Sequence, residues 1–387
     1  MQTQLATAHR EFTLYRYPRQ SNDTLRAWDA ADELMLAHIN QLETPAAPND
    51  SNCTVLPTNP RVLIINDQFG ALSCALNHYA PVVINDSFIA QQAIKQNIQN
   101  NSLNPVEQRA PLDALEGTFD IVIIKIHKSL AQLEDLLHKI RGHVTADSLI
   151  LGAGMVKMIH NSTLNLFSNI IGTTTTSLAK KKARLIFCNL DTTLRIPTNP
   201  YPSSFTLDDG SWKIQSHANV FSQGKLDIGC RFFIEHLPAS EQSQTIIDLG
   251  CGNGLVGLSA AKLNPNAQIA FYDESSMAVA SAKLNYETLF PALNNGHFHL
   301  DDCLSSCPKN SADIIFNNPP FHEQNVVSDA IAWRMFKQSQ GVLKKNGELW
   351  VVGNRHLNYA QKLKKLFGNC QTVATNNKFI VIKAVKK

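Results

Sequence analysis

The stretch Thr245-Ile246-Ile247-Asp248-Leu249-Gly250-Cys251-Gly252-Asn253-Gly254-Leu255-Val256-Gly257 opens as a short apolar run, breaks at clustered glycines and resumes with helical spacing. A short apolar run bounded by glycine reads as a buried strand. Glycines take positive φ and let backbone approach a ligand. The helix that follows turns its first N–H groups toward an anion. Strand, glycine turn and helix together predict an α/β fold with its ligand at the carboxyl edge of a parallel sheet. Gly252 to Gly257 also fits GxGxxG, so a dinucleotide is a rival ligand here.

Downstream, the same alternation continues. Gln268-Ile269-Ala270-Phe271-Tyr272-Asp273 predicts the next strand and residues 277–289 a helix. Ala312-Asp313-Ile314-Ile315-Phe316 predicts a later buried strand, and Asn317-Asn318-Pro319-Pro320-Phe321 follows it. Two prolines forbid further pairing there, which makes a stiff turn. An amide, exposed carbonyls and an aromatic face on one rigid turn could grip a planar amino group; a plain Pro-Pro loop is the bland alternative. The two turns lie about 65 residues apart, on the first and fourth strands, as a single site requires. Three acids favour S-adenosylmethionine over a dinucleotide. Asp248 precedes the glycines, Asp273 ends the next strand where ribose hydroxyls would lie, and Asp302 could face an adenine.

The first half follows the same grammar. Strands are predicted over 62–67, 82–86 and 119–124, with a strand and turn over 148–154. Helices are predicted over 71–76, 88–98 and 130–141. Gly70-Ala71-Leu72 matches Gly254-Leu255-Val256, Asp86 matches Asp273, and Asp120-Ile121-Val122 matches Asp313-Ile314-Ile315. This predicts a tandem duplication. The copies differ where chemistry would sit: Asn66-Asp67-Gln68-Phe69-Gly70 replaces the triple glycine, and Lys125-Ile126-His127-Lys128 replaces Asn318-Pro319-Pro320-Phe321. The first copy, residues 1–190, is expected to have lost catalysis. Residues 191–215, with prolines at 197, 200 and 202, read as a linker. Residues 216–387 are the expected catalytic domain.

The chain of 387 residues is long enough for two full cores, and 44% apolar with 17% charged residues suits a soluble globular protein. No run of eighteen apolar residues predicts a membrane span. The start, Met1-Gln2-Thr3-Gln4, lacks the features of a signal peptide, so the cytoplasm is the expected compartment. Eight cysteines form no CxxC pair, so neither zinc nor any other metal is expected. A net charge of +3 excludes a strongly basic nucleic-acid binder. Any RNA contact must come from local clusters, such as Lys180-Lys181-Lys182 with Arg184, or Lys362, Lys364 and Lys365.

Taken together, these motifs resemble class I methyltransferases acting on exocyclic amino groups. They are most similar to the ribosomal RNA guanine-N2 methyltransferases that carry a duplicated domain. The segments Arg16-Tyr17-Pro18, Ala27-Trp28-Asp29-Ala30-Ala31-Asp32-Glu33, His217-Ala218-Asn219-Val220-Phe221-Ser222 and Leu226-Asp227-Ile228-Gly229 resemble the branch acting on large-subunit 23S rRNA rather than 16S rRNA. The resemblance implies two Rossmann-like domains, each a mostly parallel seven-stranded sheet with an antiparallel edge strand. It implies S-adenosylmethionine as cofactor and ribosomal RNA as partner, with neither metal nor membrane; a monomer is expected. Asn318 and Pro319 would accept the guanine amino N–H bonds, Phe321 would stack on the base, and Pro320 and His322 would line it. Asn318 would also touch the cofactor, held by Asp248, Gly250, Gly252, Gly254, Asp273 and Asp302. Phe221, Ser222 and Asp227 would close over its methionine end. Lys180, Lys181, Lys182 and Arg184 would meet RNA. Asn317 departs from the pattern, where an apolar residue or cysteine is expected. Related chemistry on protein glutamine or DNA adenine, and a non-catalytic RNA-binding or assembly factor, are the alternatives.

Overall fold

A computed structural model describes residues 2–19, 24–43, 56–242, 244–320 and 326–387. The chain forms two compact units, Met1–Pro200 and Tyr201–Lys387.

The first unit opens with an antiparallel hairpin, β1 (Gln4–Ala6) and β2 (Glu11–Thr13), and the helix α1 (Ala30–Glu43). Then come β3 (Val62–Ile65), α2 (Ala71–Ala75), β4 (Val82–Ile84), α3 (Phe88–Asn100), β5 (Glu107–Arg109), β6 (Ile121–Lys125), α4 (Leu130–Arg141), β7 (Leu149–Met155), α5 (Asn161–Ile170), β8 (Thr174–Thr176) and β9 (Ala183–Cys188). The sheet order is β5-β4-β3-β6-β7-β9-β8, parallel except where β9 pairs β7 and β8. All four residues of β3 are buried, as a strand covered on both faces requires.

The second unit repeats this. A hairpin, β10 (Ser203–Thr206) and β11 (Lys213–Ser216), and the helix α6 (Ile228–Ile234) precede β12 (Thr245–Leu249), α7 (Leu255–Leu263), β13 (Gln268–Asp273), α8 (Ser276–Leu289), β14 (Gly296–Leu300), β15 (Ala312–Asn317), α9 (Val326–Val342), β16 (Leu343–Asn354), α10 (Tyr359–Phe367), β17 (Gln371–Thr375) and β18 (Phe379–Val385). The order β14-β13-β12-β15-β16-β18-β17 is that of the first sheet, with the same antiparallel pair at one edge. This is the expected architecture of two Rossmann-like domains.

The repeat extends to single residues. Ser87 and Ser275 each cap the second helix of their sheet, accepting from Ala90 N (3.3 Å) and Ala278 N (3.2 Å). Asn66 at φ +64° stands where Gly250 has φ +75°, and Gly70 at +87° where Gly254 has +85°. Asn66 N donates to Ile84 O, as Gly250 N does to Tyr272 O. This register aligns Asn85 with Asp273 and shifts Asp86 onto Glu274, correcting the match expected from sequence. The first copy therefore has an amide, not an acid, at that position.

Two other readings differ from the structure. Residues 203–215, expected within the linker 191–215, contribute β10 and all but the last residue of β11 and belong to the second unit. Their polar sequence, with Ile214 fully buried, hides a strand signature. Residues 148–154, read as a strand ending in a turn, lie almost wholly within the unbroken strand β7. A Cβ on Gly152 would sit 3.2 Å from Ile186 and 3.3 Å from Phe167, so the glycine there serves packing.

Candidate active site

The glycine loop hangs from β13. Gly250 N and Cys251 N both donate to Tyr272 O, at 2.8 and 3.0 Å, and Gly254 N donates to Cys251 O at 2.8 Å. The glycines differ in purpose. A Cβ on Gly254 would lie 2.9 Å from Ala282 Cβ, and one on Gly257 would lie 2.2 Å from the Phe271 ring. Both serve packing of helix against sheet. A Cβ on Gly252 would meet nothing within 4 Å, so this residue faces open space. Asp273 braces the loop: its Oδ2 accepts from Gly252 N (3.0 Å) and its Oδ1 from Ser275 N (3.0 Å).

Asp248 is 2% exposed, and its Oδ2 accepts from Gly257 N at 2.8 Å. Burial pushes its carboxyl up to about 7, with the nearby Asp273 charge adding to the shift. This bond fastens α7 to β12. Asp302 is also buried, and Arg334 on α9 grips it through both oxygens, at 2.7 and 3.0 Å. Burial raises the Asp302 carboxyl and the Arg334 charge opposes that shift.

The Asn-Pro-Pro turn follows β15 directly. Leu249 and Asn317 are partners across adjacent parallel strands, so glycine loop and turn leave the same sheet edge side by side. Asn317 is fully buried, and its Nδ2 donates to Leu249 O at 2.9 Å. An apolar residue could not make that bond. Asn318 Oδ1 is buried and has no hydrogen-bond partner among the described residues. Pro319 is buried and Pro320 exposed. Phe321 and His322 lie outside the described residues.

The segment before α6 is anchored by Ala218 and Val220, both buried, while Phe221 is 68% exposed. Ser222 has φ +61°, and its Oγ donates to Lys225 O. Asp227 caps α6, accepting from Cys230 N at 2.8 Å.

One residue absent from the expected site organises it. Asn285 on α8, fully buried, donates from Nδ2 to Gln215 O (2.8 Å) and Asn253 O (2.9 Å), and its Oδ1 accepts from Gln215 N (2.8 Å). It clamps β11 to the glycine loop. Asn97 on α3 does the same in the first unit, donating to Tyr15 O (2.8 Å) and Phe69 O (2.7 Å) and accepting from Tyr15 N (3.0 Å). The signal available in the sequence was an asparagine at a core-facing helical position in each half.

In the first unit Lys125 stands at the position of Asn318. Its Nζ pairs with Asp29 Oδ1 (2.8 Å) and Asp32 Oδ1 (2.5 Å). Burial pushes Asp32 up to about 6 against the pull of Lys125. Gln68 occupies the place of Gly252. An ion-paired cation and a long side chain thus replace the free amide and the open glycine. Lys180, Lys181, Lys182 and Arg184 also belong to this unit. Among the described residues no group of three or more His, Cys, Asp or Glu is placed to hold a metal ion, and no helix is long and apolar enough to cross a membrane.

Residues 2–192 match the family described as RLMG N-terminal domain, and residues 211–383 the Methyltransferase small domain. The ribosomal RNA large subunit methyltransferase G of Aeromonas salmonicida is 46% identical, with 100% of both chains covered. That of Psychromonas ingrahamii is 42% identical over 100% of each. Among solved structures, the T. thermophilus 16S rRNA N2 G1207 methyltransferase in complex with AdoMet and guanosine matches with a TM-score of 0.72 and 19% identity. The match covers 100% of this chain and 98% of that one, and shows a shared fold.

Proposed function

Because the chain belongs to the ribosomal RNA large subunit methyltransferase G family, we propose that it transfers a methyl group from S-adenosylmethionine to the exocyclic N2 of one guanine in 23S rRNA. The observation that carries this reading is Asn318 Oδ1, a buried acceptor without a partner beside the glycine loop. Most buried acceptors are paired; several among the described residues are not, and of these Asn318 Oδ1 lies, with its neighbour Asn317 Oδ1, at the sheet's carboxyl edge, where it suits a ligand's donor.

The residues present fit the cofactor. Gly252 offers open space at positive φ, Asp273 lies at the strand end next to it, and Arg334 holds the buried Asp302 in place through both of its oxygens. S-adenosylmethionine, when bound, supplies an electrophilic methyl on sulfur. Gly250 and Gly252 shape the cradle, Gly254 lets the helix pack close behind it, Asp248 secures that helix, and Phe221 and Asp227 belong to the methionine end.

Guanine N2 is a poor nucleophile because its lone pair is delocalised into the ring. Asn318 Oδ1 and the Pro319 carbonyl accept its two N–H bonds and turn the lone pair outward. Positioning of this kind supplies much of the rate, and the same fixed dipoles favour the positive charge that grows on nitrogen. That charge is discharged when the newly acidic N–H proton passes to solvent, with the demethylated cofactor left as a neutral thioether. Phe321 stacks on the base, with Pro320 and His322 beside it. A paired guanine must first leave its helix. The first unit binds RNA, with Lys180, Lys181, Lys182 and Arg184 as its phosphate contacts. The protein acts in the cytoplasm as a monomer.

Asn318→Ala tests the assignment. Cofactor affinity should stay within a few-fold while turnover falls at least ~100-fold, the scale for losing one preorganised dipole. Unchanged turnover overturns the role of Asn318. Mass mapping of 16S and 23S rRNA nucleosides from a deletion strain identifies the substrate; a missing N2-methylguanine in 16S alone would move the target to the small subunit.

A further inference from the structure

We propose that the tip of the β8–β9 hairpin, residues 177–183, is an RNA-docking wedge, with lysines on phosphates and Leu178 against a base. The proposal rests on the reading of RNA as substrate and goes beyond it by naming the contact element and its mode.

The pairing register shows how the tip is built. Thr174 to Thr176 pair in step with Cys188 to Ile186, and Ser177 N continues the ladder by donating to Leu185 O at 3.1 Å. Lys180 and Ala183 then exchange both backbone bonds, at 2.8 and 2.9 Å. Between these pairs, residues 178 and 179 oppose Arg184 alone, so the strand carries a β-bulge. Bulges re-aim side chains. Here Leu178 is turned outward and is 90% exposed. Leucine is among the residues most often buried, and this is the largest exposure among the exposed large hydrophobics.

The turn itself is unusual. Lys181 and Lys182 hold φ +50° and +61°. A two-residue hairpin turn with both residues at positive φ normally uses Asn-Gly, because longer side chains are strained there. Strain that Asn-Gly would relieve is retained where residues serve a function. The tip is also fixed: Val156 N donates to Lys182 O at 2.8 Å, and Ser177 Oγ accepts from Leu185 N at 3.1 Å. Lys181 pairs with Glu33 (2.9 Å), which Arg26 also meets at 3.0 Å. Lys180 and Lys182 make no ion pair among the described residues. A fixed tip that carries one outward leucine and three lysines within residues 178–182 matches a nucleic acid, whose phosphates take the lysines and whose bases admit an apolar contact.

Binding of full-length protein to a fluorescein-labelled RNA hairpin with an unpaired loop, and to a duplex of equal length, tests this. The double variant Lys181→Asn/Lys182→Gly should melt at or above the wild-type temperature, yet bind RNA more weakly. Its plot of log affinity against log salt should flatten by roughly 1 to 2. Leu178→Ser should weaken binding to the looped hairpin about 10-fold, the lower end of what burying one leucine side chain is worth, with the salt slope unchanged. Wild-type affinity and slope in both variants would overturn the proposal. Asn318→Ala, run in parallel, separates the two readings: it should bind RNA normally and fail in turnover. If it turns over normally while the hairpin variants lose RNA, the role given to Asn318 fails and the docking element stands; if neither wild type nor variant turns over while the hairpin variants lose RNA, the methyl-transfer reading fails and the docking element stands.

Discussion

Gly252 and Gly257 sit in one loop-to-helix turn, and replacing each by alanine separates cofactor recognition from folding. At Gly257 alanine gains about 1 kcal/mol of helix propensity. The new Cβ, however, would lie 2.2, 2.8 and 2.9 Å from three atoms of the Phe271 ring. That ring is fully buried, stacked on Phe298 at 5.0 Å and edge-on to Tyr286 at 5.8 Å, so it has little room to withdraw. Overpacking of this kind costs about 1–3 kcal/mol. Gly257→Ala should therefore destabilise the second unit by a net ~0–2 kcal/mol, toward the upper end because the nearest ring atom stands only 2.2 Å from the new Cβ. At Gly252 the new methyl meets no protein atom, and the cost is conformational: alanine at φ +55° loses about 1–2 kcal/mol. The two variants should shift a urea midpoint by similar amounts. They should part in calorimetric titration with S-adenosylmethionine below both transitions. Gly252→Ala should lose at least ~10-fold in affinity, or about 1.4 kcal/mol, and Gly257→Ala no more than ~2-fold. Equal losses, or wild-type affinity in Gly252→Ala, would refute the reading of Gly252 as the cradle.

Asn285→Ala leaves Gln215 N, Gln215 O and Asn253 O without partners, and should cost about 3 kcal/mol and loosen β11. Hydrogen exchange that leaves Gln215 N as protected as in the wild type would contradict the clamp. Asp248 titrates near 7 in the folded chain against about 3.9 unfolded, so the folded state holds its proton more tightly. Its contribution is complete below about pH 4 and is lost as pH rises to about 7. The wild type should thus lose more stability between pH 5 and pH 8 than Asp248→Asn, and parallel curves would exclude the shift. Lys125→Ala strands the buried Asp32 and should destabilise the first unit by about 3–5 kcal/mol, with cofactor affinity untouched. A denaturation midpoint equal to wild type would show that the pair is not structural.

Much of this fold was legible because parallel strands buried on both faces read as continuous apolar runs. Val62 to Ile65 and Ile314 to Phe316 needed no context to be recognised. The glycine loop and the turn after β15 stood out for the opposite reason, since both break the run at the same sheet edge. What escaped notice was polar. Ser203 to Ser216 pair as strands through backbone bonds that leave little trace in side chains. The clamps of Asn97 and Asn285 act across 82 and 70 residues, a distance over which sequence spacing carries no information. Asp302 was readable as an acid near the site. Its grip by Arg334, 32 residues away on another element, was not. The Asp86 pairing failed by one position because adjacent polar residues, Asn85 and Asp86, are equivalent in pattern and only the hydrogen-bond register tells them apart.

The paired asparagine clamps bear on how such a chain can change over time. Asn97 and Asn285 hold hairpin to loop without using Asn66, Gln68 and Lys125 or their counterparts Gly250, Gly252 and Asn318. The two clamps and the loop positions Gly252 and Asn318, with Gln68 in the place of Gly252, are therefore separate residues, while Lys125 has taken a folding role of its own in the first copy. A duplicated gene with that partition can relinquish one trade in one copy while its architecture stays under undiminished selection. The path back is not symmetric, for restoring an amide at Lys125 would strand the carboxylates of Asp29 and Asp32 that now depend on it.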